Sequence, residues 1–195
     1  MNGDLTQRAI ETFTAPQAVI VWLQSLELPR NAMWLAVGLI TTLNALVFGM
    51  SNIVLPDEGA LPIIFTSPLL FGIITGTGFI LTIFALFYVG RTFGGLGSLD
   101  TVLVCLIWLQ SLRLVVQFGL SMVMLLSPTL SVLLAFVASL IGFWILVNFI
   151  KEFHGFASLF KATLVMIASG FTVVLGLIFV LSFLGPDTLG VTANV

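Results

Sequence analysis

The sequence predicts an all-α polytopic membrane protein: a five-transmembrane-helix bundle preceded by a short N-terminal amphipathic helix. Three observations predict it. First, five stretches, roughly 33–55, 68–89, 101–126, 129–150 and 159–184, each hold about the 20 predominantly apolar residues that a helix needs to cross a hydrocarbon core. Second, 59% of the 195 residues are hydrophobic and 7% are charged, whereas soluble domains carry about 25% charged residues. A soluble fold of this length leaves roughly a third of its surface exposed and has nowhere to hide so much apolar area. Third, the basic residues sort between the apolar stretches. Arg8 and Arg30 precede the first, Arg91 lies between the second and third, and Lys151 and Lys161 flank the gap between the fourth and fifth. The connection with Asp57 and Glu58, the turn at Ser127 and Pro128, and the tail after Pro186 carry none. With five spans these two groups of connections fall on opposite sides of the membrane. The positive-inside rule makes the basic side cytoplasmic.

Residues 1–32 read as a cytoplasmic arm with one helix. Thr14 and Gln17 have capping-box spacing, and Pro16 is tolerated in a first turn, where its missing N–H has no helical partner anyway. Val19, Trp22, Leu23 and Leu26 then recur at helical spacing opposite Gln17, Gln24 and Glu27. Such a helix either lies along the lipid headgroups, anchored by its tryptophan, or packs beneath the bundle as a lid. Pro29 ends it. The opening residues are polar and partly acidic, unlike a secretory leader, so the first span is read as retained.

Residues 33–184 form the transmembrane domain and 185–195 a short non-cytoplasmic tail. All seven prolines fall outside the spans or at their ends, as continuous helices in lipid require. Residues 55–67, with Pro56, Pro62 and two acids, form the largest outer connection, with room for a short surface helix. Ser127 and Pro128 leave almost no loop, so the third and fourth spans are antiparallel neighbours. The two inner connections resemble one another: Phe93, Gly95, Ser98 and Leu99 align with Phe153, Gly155, Ser158 and Leu159 at a constant offset. That match predicts a repeated hairpin, spans two and three followed by spans four and five, related by an axis along the membrane normal.

Chemistry-bearing residues are few. Cys105, the single cysteine, lies inside a span, and His154 is the single histidine. No internal disulfide, thiolate cluster or paired-histidine metal site can be built from them, and no cofactor motif is present. His154 has Glu152 two positions away, off its helical face, so no nucleophile–base pair assembles. The net charge of -2 and the lack of a basic block exclude a nucleic-acid partner. The chain reads as no enzyme.

Three groups of residues remain as candidate sites. Arg113 lies mid-span with Gln110 and Gln117 at i−3 and i+4 on the same face, and Asn44 of the first span is a further partner. A charge at that depth faces a bundle interior, a wet cavity or another protein. Ala135, Ala138, Ser139 and Gly142 line one face of the fourth span, and Gly72 and Gly76 make a similar patch in the second. Small residues let helices approach closely. They serve internal packing, a dimer seam or a groove for a partner helix. The inner loops place Gly94, Gly95, His154 and Gly155 at headgroup level, with a titratable imidazole among charged and aromatic neighbours.

Taken in order, Pro16 before the membrane, Gly94-Gly95-Leu96-Gly97-Ser98 after the second span, and His154-Gly155-Phe156-Ala157-Ser158 with Lys161-Ala162 before the last resemble the Yip family of five-span membrane proteins. The resemblance covers about residues 16–184. It implies a non-enzymatic protein that assembles with other membrane proteins. In eukaryotic members it also implies vesicle trafficking and binding of prenylated small GTPases. The arm here is short, which departs from those members and points to a bacterial-type protein of the cytoplasmic membrane. No catalytic residue carries over.

The leading expectation is therefore a membrane scaffold, assembly or accessory protein whose partners are membrane lipids and other integral membrane proteins or further copies of itself. The alternative is a transporter, channel or lipid-handling protein working through Arg113.

Overall fold

In the computed structural model, which describes residues 2–54 and 67–183, the described residues form seven helices. They are α1 (Asn2–Thr14), α2 (Pro16–Ser25), α3 (Arg30–Val54), α4 (Pro68–Thr92), α5 (Leu99–Leu126), α6 (Pro128–His154) and α7 (Leu159–Ser182). Helices α3 to α7 are the five long and apolar enough to span a membrane. The chain is an all-α, multi-pass membrane protein. The expected connection at 55–66, with its surface helix, and the expected tail at 185–195 lie outside the described residues.

Local chemistry sets the span boundaries. Ser67, Ser98, Ser127 and Ser158 each turn a side-chain oxygen onto an amide three residues on, at 3.4, 3.1, 3.3 and 3.3 Å. This satisfies one of the orphan donors of a helix start. Pro68 and Pro128 then occupy the first turn, where no N–H is needed. At the other end, α4 and α6 close with the same Schellman arrangement. Gly94 (φ 79°) and Gly155 (φ 68°) turn left-handed, Gly95 N donates to Gly90 O at 2.8 Å, and Phe156 N donates to Lys151 O at 2.8 Å. Only glycine adopts that backbone without strain.

The five spans stand in a ring, ordered α3, α4, α7, α6, α5 and back to α3. α4 packs on α7 as α5 packs on α6, a pairing compatible with two repeated hairpins α4–α5 and α6–α7. The same sequence spacing separates Ser67-Pro68 from Ser127-Pro128 and Ser98-Leu99 from Ser158-Leu159, so the correspondence extends to all four helix starts.

The arm departs from expectation. It holds two helices rather than one, and Thr14 closes α1 instead of capping α2, whose N-cap is Ala15 with no side-chain bond. The chain breaks at Ala15, because proline at position 16 disfavours helical geometry in the residue before it. Of the two placements open for the second helix, the structure shows the lid. Val19, Ile20 and Leu23 are buried in the core beneath α5 and α6. Thr12 accepts a hydrogen bond from Trp108 Nε1 at 2.9 Å, Trp22 meets Trp108 edge-to-face, and Gln24 donates to Thr101 at 3.1 Å. Arg30 then clasps Asp100 with two 2.9 Å bonds, joining the starts of α3 and α5.

The core is lopsided. Among the described residues, the buried apolar residues of each span run from the end bearing Arg91 and Lys151 to about the helix midpoint. They include Met33 to Ile40, Phe79 to Leu86, Val102 to Leu106, Ile145 to Ile150, and Ala162 with Val165. In the opposite half Ser131 is buried, donating to Leu120 O at 3.0 Å. Large apolar side chains there, such as Leu126, Val132, Phe136 and Phe171, stay exposed.

Candidate functional site

A polar centre lies where the packed half of the bundle gives way to the open half. α5 supplies Gln110 and Arg113, α3 supplies Thr41 and Asn44, and α4 supplies Thr75. Close approach of α3 and α4 makes the site possible. A Cβ on Gly76 would stand 2.7 Å from Thr41 Cγ2, and one on Gly72 would stand 3.0 Å from the Ala45 Cβ. The two glycines are thus packing residues, as their type and spacing suggest.

Asn44 is buried and donates its amide to Ile40 O at 2.9 Å, which turns Oδ1 toward Arg113 Nη2 at 3.4 Å. Thr41 and Thr75 donate their hydroxyls to Val37 O and Phe71 O within their own helices, at 2.9 and 2.7 Å. Gln110 Oε1 is buried without a hydrogen-bond partner. These groups line an open-sided cavity of about 20 Å³, room for roughly one water molecule. A water there would find donors and acceptors on three helices. Arg113 itself is exposed on its open side. Arg113, Gln110 and Asn44 come together as the sequence predicts. Gln117 is half-buried one turn further along and does not line the cavity. Thr41 and Thr75 were not singled out for this site; their spacing on α3 and α4 carries no signal until those helices are paired.

The small-residue face of α6 divides. Ala135 and Ala138 are half-buried, whereas Ser139 and Gly142 are exposed, and a Cβ on Gly142 would meet nothing within 4 Å. At Ser139 and Gly142 this face packs against none of the described residues.

The inner connections form a second cluster, in which His154 is buried, 1% exposed. Its ring fills space left by glycines of the other connection. A Cβ on Gly90 would overlap Nε2, one on Gly95 would come within 2.5 Å of Nδ1, and one on Gly97 within 2.9 Å of the same atom. Nε2 bonds Leu86 O at 3.0 Å, Leu96 N donates to His154 O at 3.0 Å, and Phe153 and Phe156 pack against the ring. Lys161 lies over Phe156 at 4.9 Å. This is a joint that locks α4 to α6, with no nucleophile or carboxylate in its contacts. Among the described residues no cluster of His, Cys, Asp and Glu can hold a metal ion.

The Yip1 domain family model matches residues 10–181. No curated protein and no solved structure gives a match. The match spans most of the sequence, and the chain belongs to the Yip1 domain family. Proteins of that family are non-enzymatic membrane proteins that bind other proteins, so the chain is not an enzyme.

Proposed function

We propose that this Yip1-domain protein is an integral membrane scaffold, assembly or accessory subunit that holds other membrane proteins against the open half of its bundle. The observation that carries this reading is the lopsided core. Half of a transmembrane ring is packed like a protein interior, and half presents large apolar side chains with little internal support. α6 supports it further. From Val132 to Trp144 it exposes residues on nearly every face, including Leu133, Phe136, Leu140 and Phe143. In lipid, helices associate through close packing of small residues, and Ser139 with Gly142 offers an uncovered patch for that contact.

The membrane we infer is the cytoplasmic membrane of a bacterium, with Arg91 and Lys151 on the cytoplasmic side. Single cysteines at Gly59 or Asn194, in a Cys105→Ser background, should react with an impermeant thiol reagent added to intact cells. Leu96→Cys, exposed at the basic end, should not. The reverse pattern contradicts this orientation.

The functional test is gentle extraction into native nanodiscs. Wild type should migrate with a second membrane protein or a second copy. Gly142→Leu, which fits the chain's own packing, should release it. A wild-type particle that holds one chain and nothing else would overturn the proposal. The second reading, transport or lipid handling through Arg113, draws support from the polar lining. A cavity of about 20 Å³ admits no solute larger than water, which places it second. Vesicles in which solute or lipid movement depends on Arg113 would reverse that order.

A further inference from the structure

We propose that the open side of Arg113 receives a transmembrane helix of a different protein, one carrying a carboxylate near the middle of its span. This deepens the scaffold reading and rests on it.

The argument begins with depth. Arg113 stands midway along α5, about 20 Å from either end at the rise of an α-helix. An arginine side chain cannot snorkel that far, so the headgroup phosphates of the surrounding lipid are out of reach. A guanidinium has five N–H donors, and among the described residues Arg113 makes one hydrogen bond, the 3.4 Å contact to the neutral Asn44. A cation at that depth whose one direct bond is long and to a neutral group is costly even beside a polar cavity, and such residues pair with acids or carbonyls inside the membrane.

No span of the chain carries an acid near its middle, and among the described residues none pairs with Arg113. Asp4, Glu11 and Glu27 are in the arm, Asp57 and Glu58 lie between the first two spans, and Asp187 follows the last. Asp100 and Glu152 sit at the basic ends of α5 and α6, engaged by Arg30 and Lys151. A second copy likewise has no mid-span acid to offer, so pairing of equivalent spans leaves the charge uncompensated. The complement is a carboxylate on another protein's span, and charge complementarity thereby selects the partner. Gln117, half-buried one turn further along, offers an amide to the same helix, and Val116, exposed, offers it an apolar contact.

The test uses designed leucine-rich transmembrane peptides that differ at one central position, Asp, Leu or Lys. They are reconstituted with the labelled full chain in vesicles of neutral lipid, and association is read by energy transfer. The Asp peptide should bind wild type at least about tenfold more tightly than the Leu peptide, and the Lys peptide should not bind. Arg113→Leu should abolish the Asp preference, and Arg113→Lys should keep part of it. Because Arg113→Leu could also unfold the bundle, Arg113→Glu paired with the Lys peptide provides a rescue that an unfolded chain cannot give. Equal binding of the Asp and Leu peptides to wild type would overturn the proposal. So would an Asp preference that survives Arg113→Leu, or association that follows added phosphatidic acid and ignores the peptide's centre. A failure here, with a native partner still co-migrating in nanodiscs, would remove the carboxylate rule and leave the scaffold reading standing.

Discussion

At the residue scale the bundle is specified by what is missing as much as by what is present. His154 is buried because Gly90, Gly95 and Gly97 leave room for its ring, and no other side chain at those three positions would. The prediction is a pair of opposite signs. Gly90→Ala drives a methyl into the imidazole and should destabilise by on the order of 1–3 kcal/mol, the range for overpacked cores. Gly142→Ala adds the same methyl in open space and should stabilise by up to about 1 kcal/mol through helix propensity. Thermal unfolding of the two variants in detergent measures this, and a shift of the same sign in both would show that the joint is not as described. The Arg113 centre was legible in the sequence because polar side chains in an apolar span stand out, and i−3 spacing puts Gln110 beside Arg113. The burial of His154 was not. A histidine beside Lys151 and Glu152 reads as a headgroup residue until the glycines from a distant connection close over it.

At the element scale the spans were almost fully readable, since apolar length and serine or proline starts are local signals. α4 and α6 run three and four residues past the expected ends, because aromatic and basic residues such as Tyr88, Arg91 and Lys151 continue a helix into the interface. The arm was less readable. α1 has a polar composition that no span-length criterion detects, and propensity alone did not separate it from a coil. Its relation to α2 is fixed by tertiary contacts, Trp108 with Thr12 and Trp22. Among the ties that hold the arm to the bundle, an ion pair and a buried leucine differ in strength. The Arg30–Asp100 pair is 60% and 49% exposed, and water screens so exposed a pair to little net effect. Leu23, 4% exposed in the core, belongs to the class whose truncation to alanine costs about 2–5 kcal/mol. Leu23→Ala should therefore free α2 and open the 26–29 connection to protease, while Asp100→Asn should leave it protected. Cleavage of Asp100→Asn with Leu23→Ala protected would show that α2 is held by charge and not by burial.

At the scale of the whole molecule, a ring of five helices packs one half and leaves the other to its surroundings. The paired hairpins explain how so regular a ring arises from a short chain. α4 on α7 and α5 on α6 repeat one contact, and α3 fills the remaining gap between α4 and α5. The sequence showed matching inner loops, but not that packing would stop at mid-membrane, because lipid-facing and partner-facing apolar residues are chemically alike. Site-specific photo-crosslinking in intact membranes tests the claim that the open half is where partners sit. Phe136 in the open half and Tyr88 in the packed half are 63% and 62% exposed, so accessibility does not favour either. A photoreactive residue at Phe136 should yield adducts with a second protein, and one at Tyr88 should yield lipid adducts alone. Protein adducts of equal yield at both positions, or none at Phe136, would contradict it.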